Sequence, residues 1–118
     1  MKLSKHFERH EFACRCGCGY DTVDTELIKL LERIREYFSV AITINSGTRC
    51  EQYNKAVGGG RMSQHLIGKA ADITLKGALP LIVAQYVERI HPDSGGVGRY
   101  EEFTHVDVRE TKARWRGK

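Results

Sequence analysis

Aromatic side chains are scarce in this chain, at 8% of residues, and no run of them forms the stacking platform that single-stranded nucleic acids require. Nucleic-acid binding therefore has little support, and no nucleic-acid partner is expected. No apolar stretch approaches the ~18 residues of a membrane span, which excludes a chain that crosses a bilayer by itself. The opening residues, Met1 to His10, are polar and lack the apolar middle of a secretion signal. Synthesis in a cytoplasm is the expectation that follows. Internal repeats and low-complexity segments are missing as well. A length of 118 residues leaves no room for a second core, so one domain over residues 1–118, acting as a monomer, is expected.

Charge of neither sign dominates. The formal net charge is +4, with 29% charged and 41% hydrophobic residues, ordinary values for a globular protein. Lys112, Arg114, Arg116 and Lys118 nevertheless crowd the end of the chain. Residues 110–118 read as a basic tail that would favour anionic polymers, or more plainly as a solvated terminus.

Cysteine usage is uneven. Cys14, Cys16 and Cys18 form one tight run and Cys50 stands alone. Such close neighbours are poor disulfide partners for one another, although one bridge from the run to Cys50 remains open. Four thiolates could instead hold a structural zinc, without the usual two-to-four-residue spacer. Free, packed thiols are the third reading.

Residues 1–20 read as an irregular arm anchored by Phe7 and Phe12. Asp24 offers an N-cap, and Leu27, Leu30, Leu31, Ile34 and Phe38 follow at the spacing of a buried helical stripe. Residues 41–45 alternate as a half-buried strand, a short helix is expected over 51–57, and Gly58-Gly59-Gly60 ends it. Residues 70–75 read as a strand carrying Asp72. Pro80 starts a third helix whose stripe is Ile82, Val83, Tyr86, Val87 and Ile90. Two short strands, 97–100 and 103–108, are joined by a turn through Glu101-Glu102 and so form an antiparallel pair. The expected class is α+β: a small antiparallel sheet with helices packed on one side.

The chemistry concentrates in two segments. Ser63-Gln-His65-Leu-Ile-Gly68-Lys-Ala70-Ala71-Asp72 and Glu102-Phe-Thr-His105-Val-Asp107 together supply two imidazoles and a carboxylate that could hold a zinc ion. A catalytic zinc takes three protein ligands and leaves a fourth position for water. His105 and Asp107, two apart on a strand, project from one face. Glu102 stands at the strand entrance, where a carboxylate could serve as general base to an acidified water. Arg49 follows the Ser46-Gly47 turn, placed to meet a substrate carboxylate or an oxyanion. Taken singly these residues have plainer roles. A histidine can be packed or surface, Asp72 can cap or pair, and Arg49 can be an ordinary ion-pair partner.

In combination, the Ser63-x-His65-x-x-Gly68-x-Ala70-x-Asp72 pattern and the later Phe103-Thr-His105-Val-Asp107 closely resemble the zinc peptidases of the M15 family. That family comprises D-alanyl-D-alanine carboxypeptidases, dipeptidases and phage L-alanyl-D-glutamate endolysins, which cut peptidoglycan stem peptides. Ser46-Gly47-Thr48-Arg49, Asn54, the glycine loop and the opening Glu11-Phe12-x-Cys14-x-Cys16-Gly17-Cys18 resemble its compact phage and bacterial members. The resemblance implies a fold shared with the hedgehog signalling domain and a peptidoglycan peptide as substrate. It implies zinc bound by His65, Asp72 and His105, and Arg49 as the substrate or transition-state arginine. Glu102, three before the last histidine, would be the acid/base. Compact relatives ending in Phe-x-His-x-Asp often keep no acid there, which makes Asp107 the second candidate, for that role or for orienting His105. An enzyme made without a signal would act on the cell wall once a phage has breached the membrane, with its basic tail near anionic wall polymers. No separate wall-binding domain is expected. A catalytically inactive, metal-stabilised binding module of the same fold is the alternative.

Overall fold

Local chemistry sets the first helix. The Asp24 side chain accepts a hydrogen bond from the Glu26 amide at 2.8 Å, and Glu26 adds negative charge to the first turn. Helix α1 (Thr25–Phe38) buries Leu27, Ile28, Leu30, Leu31 and Ile34, then stops at Ser39, whose φ of 56° is left-handed. The computed structural model describes residues 1–118. Its other elements are strand β1 (Ile42–Ser46), helix α2 (Glu51–Ala56), strand β2 (Ala70–Leu75), helix α3 (Pro80–Ile90), and strands β3 (Gly96–Arg99), β4 (Thr104–Asp107) and β5 (Ala113–Arg116). Short 3-10 turns cover Arg9–Phe12 and Gln64–Ile67.

The five strands form one sheet in the order β1-β2-β4-β3-β5. All neighbours are antiparallel except β3 and β5, which run parallel. The fold is therefore α+β, with a mixed sheet in place of the wholly antiparallel one expected. The difference lies in residues 113–116: read from sequence as part of a basic tail, they form the edge strand β5. Arg114 is consumed there, its guanidinium donating to the carbonyls of Gly95, His91 and Ser94.

Alternation along β2 and β4 sorts the two faces of the sheet. Ala71, Ile73, Leu75 and Val106 join the core with Leu31 and Ile34 of α1 and Val83 and Val87 of α3. Thr104 shares that face, its hydroxyl donating to the Pro80 carbonyl at 2.8 Å. Asp72, His105 and Asp107 point the other way. Ile82, expected in the buried stripe of α3, is exposed, and Ala84 takes a place in the core instead.

Residues 1–20 contain only the one 3-10 turn and an isolated bridge between Lys2 and Glu8. Phe7 and Phe12 are buried with ring centroids 6.0 Å apart, so the arm contributes to the core. Glu32 on α1 clasps it, accepting from the Ser4 hydroxyl at 2.5 Å and the His6 amide at 2.8 Å, and meeting His6 Nδ1 at 2.6 Å.

Candidate metal centre

One row across the sheet carries most of the centre. Ser46, Asp72, His105, Gly98 and Trp115 are successive cross-strand partners on β1, β2, β4, β3 and β5. His65 comes from outside the sheet, on the 3-10 turn that Ser63 caps and Gly68 ends with a φ of 72°. A side chain at Gly68 would collide with the Thr22 backbone, so the turn closes against the segment leading into α1 only with glycine there.

His65, Asp72 and His105 converge. One ligand atom from each lies within 4.8 Å of the others, and all three residues are buried. Asp72 Oδ1 is 3.3 Å from His65 Nε2 and 3.0 Å from His105 Nδ1. The remaining nitrogen of each ring is engaged elsewhere. His65 Nδ1 is 2.6 Å from the Gly47 carbonyl, and His105 Nε2 is 2.7 Å from Asp107 Oδ2. A carbonyl can only accept, so His65 carries its proton on Nδ1 and presents a lone pair on Nε2. The Asp107 carboxylate imposes the same logic on His105, with the lone pair on Nδ1. Two imidazole lone pairs and a carboxylate oxygen then face one point, with outer partners that fix each ring. This donor set fits a divalent cation.

Asp107 is fixed on every side. Its Oδ1 accepts from the Gly96 amide at 2.8 Å and Arg109 Nε at 2.9 Å, while Oδ2 accepts from the Arg109 guanidinium at 2.7 Å. Arg109 in turn lies over the Trp115 ring, 5.4 Å from its centroid. Any side chain at Gly96 would collide with the Asp107 carboxylate, and any at Gly98 with the Trp115 indole. The two glycines of β3 are thus the space in which these groups lie.

Electrostatics follow from the geometry. Burial alone would raise the Asp72 carboxyl, but without an ion His105 Nδ1 and His65 Nε2 share any proton they carry with it and hold it far below the usual carboxylate range, and a bound ion would take the place of those protons. Asp107 is likewise pushed up by burial and pulled further down by His105 and Arg109. Burial opposes a charge on His105, yet its bonds to Asp107 and Asp72 raise its affinity for a proton.

The cleft over the centre has a volume of about 340 Å³. Its walls include Arg49, the glycine loop, Tyr100, Phe103, Arg109 and Trp115, and Asp72 is its only carboxylate. Arg49 is committed on three sides: Nε to the Ser46 hydroxyl at 3.1 Å, one terminal nitrogen to Asn54 at 3.2 Å, the other to Asp72 at 3.1 Å. A larger cleft of about 540 Å³ lies beside α1 and contains none of the three converging residues.

The structure brings Arg49, His65, Asp72, His105 and Asp107 together. It does not bring Glu102 to them. Glu102 is exposed and lines a separate small pocket with Ile73, Thr74, Val83 and Thr104, on the helix-bearing side of the sheet. Glu102 lies in the bend before β4, outside the strand that carries His105 and Asp107. Asp107, the second candidate, has a side chain with no exposure and lies behind His105. Trp115 and Arg109 complete the cleft wall and escaped the sequence reading. No local pattern marked them: Ala113–Arg116 does not alternate in burial, and Arg109 lies in the loop after β4.

A family model described as Peptidase M15 matches residues 5–107. Among curated proteins, none matches the chain.

Proposed function

This chain belongs to the peptidase M15 family, and on that premise we propose that it is a zinc-dependent peptidase hydrolysing peptide bonds in peptidoglycan stem peptides. His65 Nε2, Asp72 Oδ1 and His105 Nδ1 are the proposed ligands. The observation that carries the reading is the convergence of two imidazoles on one carboxylate: Gly47 and Asp107 engage the outer ring nitrogens, and the inner ones lie 3.3 and 3.0 Å from the Asp72 oxygen. When bound, the ion supplies Lewis acidity and lowers the pKa of a water to about 7.

The chain's own residues do the rest. Asp107 meets His105 at Nε2 and so fixes the orientation of the ring. Arg49 holds Asp72 in place and presents its guanidinium to the cleft, where a stem-peptide carboxylate or a developing oxyanion would meet it. Stem peptides are rich in free carboxylates, and a cleft whose walls carry Arg49 and Arg109 suits them. Tyr100 and Phe103, stacked with centroids 4.3 Å apart, offer an apolar wall and exclude water. Both carboxypeptidase and endopeptidase cleavage are compatible with this cleft.

Digestion of defined muropeptides followed by mass spectrometry tests the proposal. Wild-type protein loaded with zinc should give product pairs that differ from substrate by one added water. At limiting zinc, Asp107→Asn should cut roughly 10–100-fold more slowly, as loss of a partner that orients a ligand does. Because Asp72 is the only carboxylate on the cleft wall, a binding module without catalysis is the competing reading. Zinc-loaded wild type that leaves every muropeptide intact would establish that alternative.

A further inference from the structure

The four cysteines lie together, and Cys50 directly follows Arg49 in the chain. We propose that Cys14, Cys16, Cys18 and Cys50 form a second, structural site for one thiophilic divalent cation, zinc by its chemistry. This goes beyond the peptidase reading and does not depend on it.

The sulfurs are spaced closely enough to close around one tetrahedral ion. All four sulfurs lie within 4.8 Å of one another. Cys14 is 3.4 Å from Cys16 and 3.7 Å from Cys50, and Cys16 is 3.7 Å from Cys50. Sulfurs about 2.3 Å from a tetrahedral ion stand roughly 3.8 Å apart, close to these values. A disulfide needs a separation of about 2.0 Å, and all four thiols are free. Packing of inert thiols fits no better, because Cys16 and Cys18 are exposed while touching their neighbours.

The backbone is built around the sulfurs. Cys14 donates its amide to the Tyr20 carbonyl at 2.8 Å, and Gly17 donates to the Cys14 carbonyl at 3.1 Å. Gly17 and Gly19 take left-handed φ values of 84° and 92°, which curl the run so that alternate residues reach one point. The missing spacer is therefore no obstacle. Amides of Cys50 and Tyr53 point at the sulfurs of Cys14 and Cys50, each at 3.4 Å, and stabilise negative charge there.

Such an ion would tie the arm to the segment after β1. Cys50 follows Arg49, and Thr48 already donates its amide to the Phe12 carbonyl at 2.8 Å. A cation held by all four thiolates, with release of their protons on binding, fixes the backbone from which Arg49 reaches Asp72.

Metal analysis of the full chain under reducing conditions tests this. Wild type should carry two zinc ions per chain, and the His65→Ala/His105→Ala variant should keep one. The cobalt(II) form of that variant should show thiolate-to-cobalt charge-transfer absorption, and adding Cys14→Ser and Cys50→Ser should abolish it. If the cysteine variants fail to fold, the cobalt spectrum of the histidine variant still decides. A histidine variant without metal or charge-transfer absorption would overturn the proposal, as would an unreduced intact mass short of two hydrogens.

Discussion

Asp72 is the residue on which the centre turns. It is buried, receives His65, His105 and Arg49 at 3.0 to 3.3 Å, and stays ionised because those partners outweigh the cost of burial. Asp107 repeats the pattern one step back, with Arg109 in the place of Arg49. Distinct outcomes are therefore expected for Asp107 and Glu102. Asp107→Asn should weaken zinc binding by roughly 10–100-fold, with activity recovered in excess zinc, as competition with a chelating dye would reveal. Glu102→Gln should leave both affinity and turnover within about twofold of wild type, the usual range for an exposed substitution. A large loss of turnover in Glu102→Gln with normal zinc affinity would return the general-base role to that residue. The convergence of His65, Asp72 and His105 was legible because the two segments that carry them, taken together, resemble those of the M15 peptidases. The place of Glu102 was not, because it lies in the bend before β4, and no local pattern sets the direction of a side chain there.

At the scale of elements, β3 and β5 shape the site as much as the ligand-bearing strands do. Gly96→Ala drives a methyl into the Asp107 carboxylate, and Gly98→Ala drives one into the Trp115 indole. The first should impair zinc binding at least as much as Asp107→Asn. The second should displace Trp115, whose fluorescence, as the only tryptophan of the chain, would shift to longer wavelength. The clasp between α1 and the arm gives a pH dependence. Burial would raise the Glu32 carboxyl, but bonds from Ser4 and His6 lower it below its ordinary 4.5. The folded state thus holds this proton less tightly than the unfolded one. The clasp contributes in full above 4.5 and fades as pH falls through the depressed value. Glu32→Gln should cost about 1–2 kcal/mol at neutral pH and far less in acid, as denaturant titrations at both would show. Helix α1 and strand β2 were readable from periodicity, β2 to the residue. Strand β5 was not, because its parallel pairing with β3 is a long-range choice with no local signature.

The whole molecule is organised around one core of 18 buried residues that includes Phe7 and Phe12 from the arm. Both candidate metal sites bridge segments distant in sequence: 65 with 72 and 105, and 14–18 with 50. Removal of metal should therefore lower stability as well as activity. Each site saturated at about 100 times its Kd contributes roughly 2.7 kcal/mol, so stripping zinc should lower Tm by several degrees. Differential scanning calorimetry with and without a chelator checks this, and unchanged unfolding would leave neither site occupied. Anomalous diffraction at the zinc edge, on crystals of the zinc-loaded protein, goes to the heart of the matter. The expected result is one ion about 2.0–2.2 Å from His65 Nε2, Asp72 Oδ1 and His105 Nδ1, with its fourth position open to the Arg49 cleft. An ion bonded through the opposite ring nitrogens, closed off by a fourth protein donor, or missing between these side chains would contradict it.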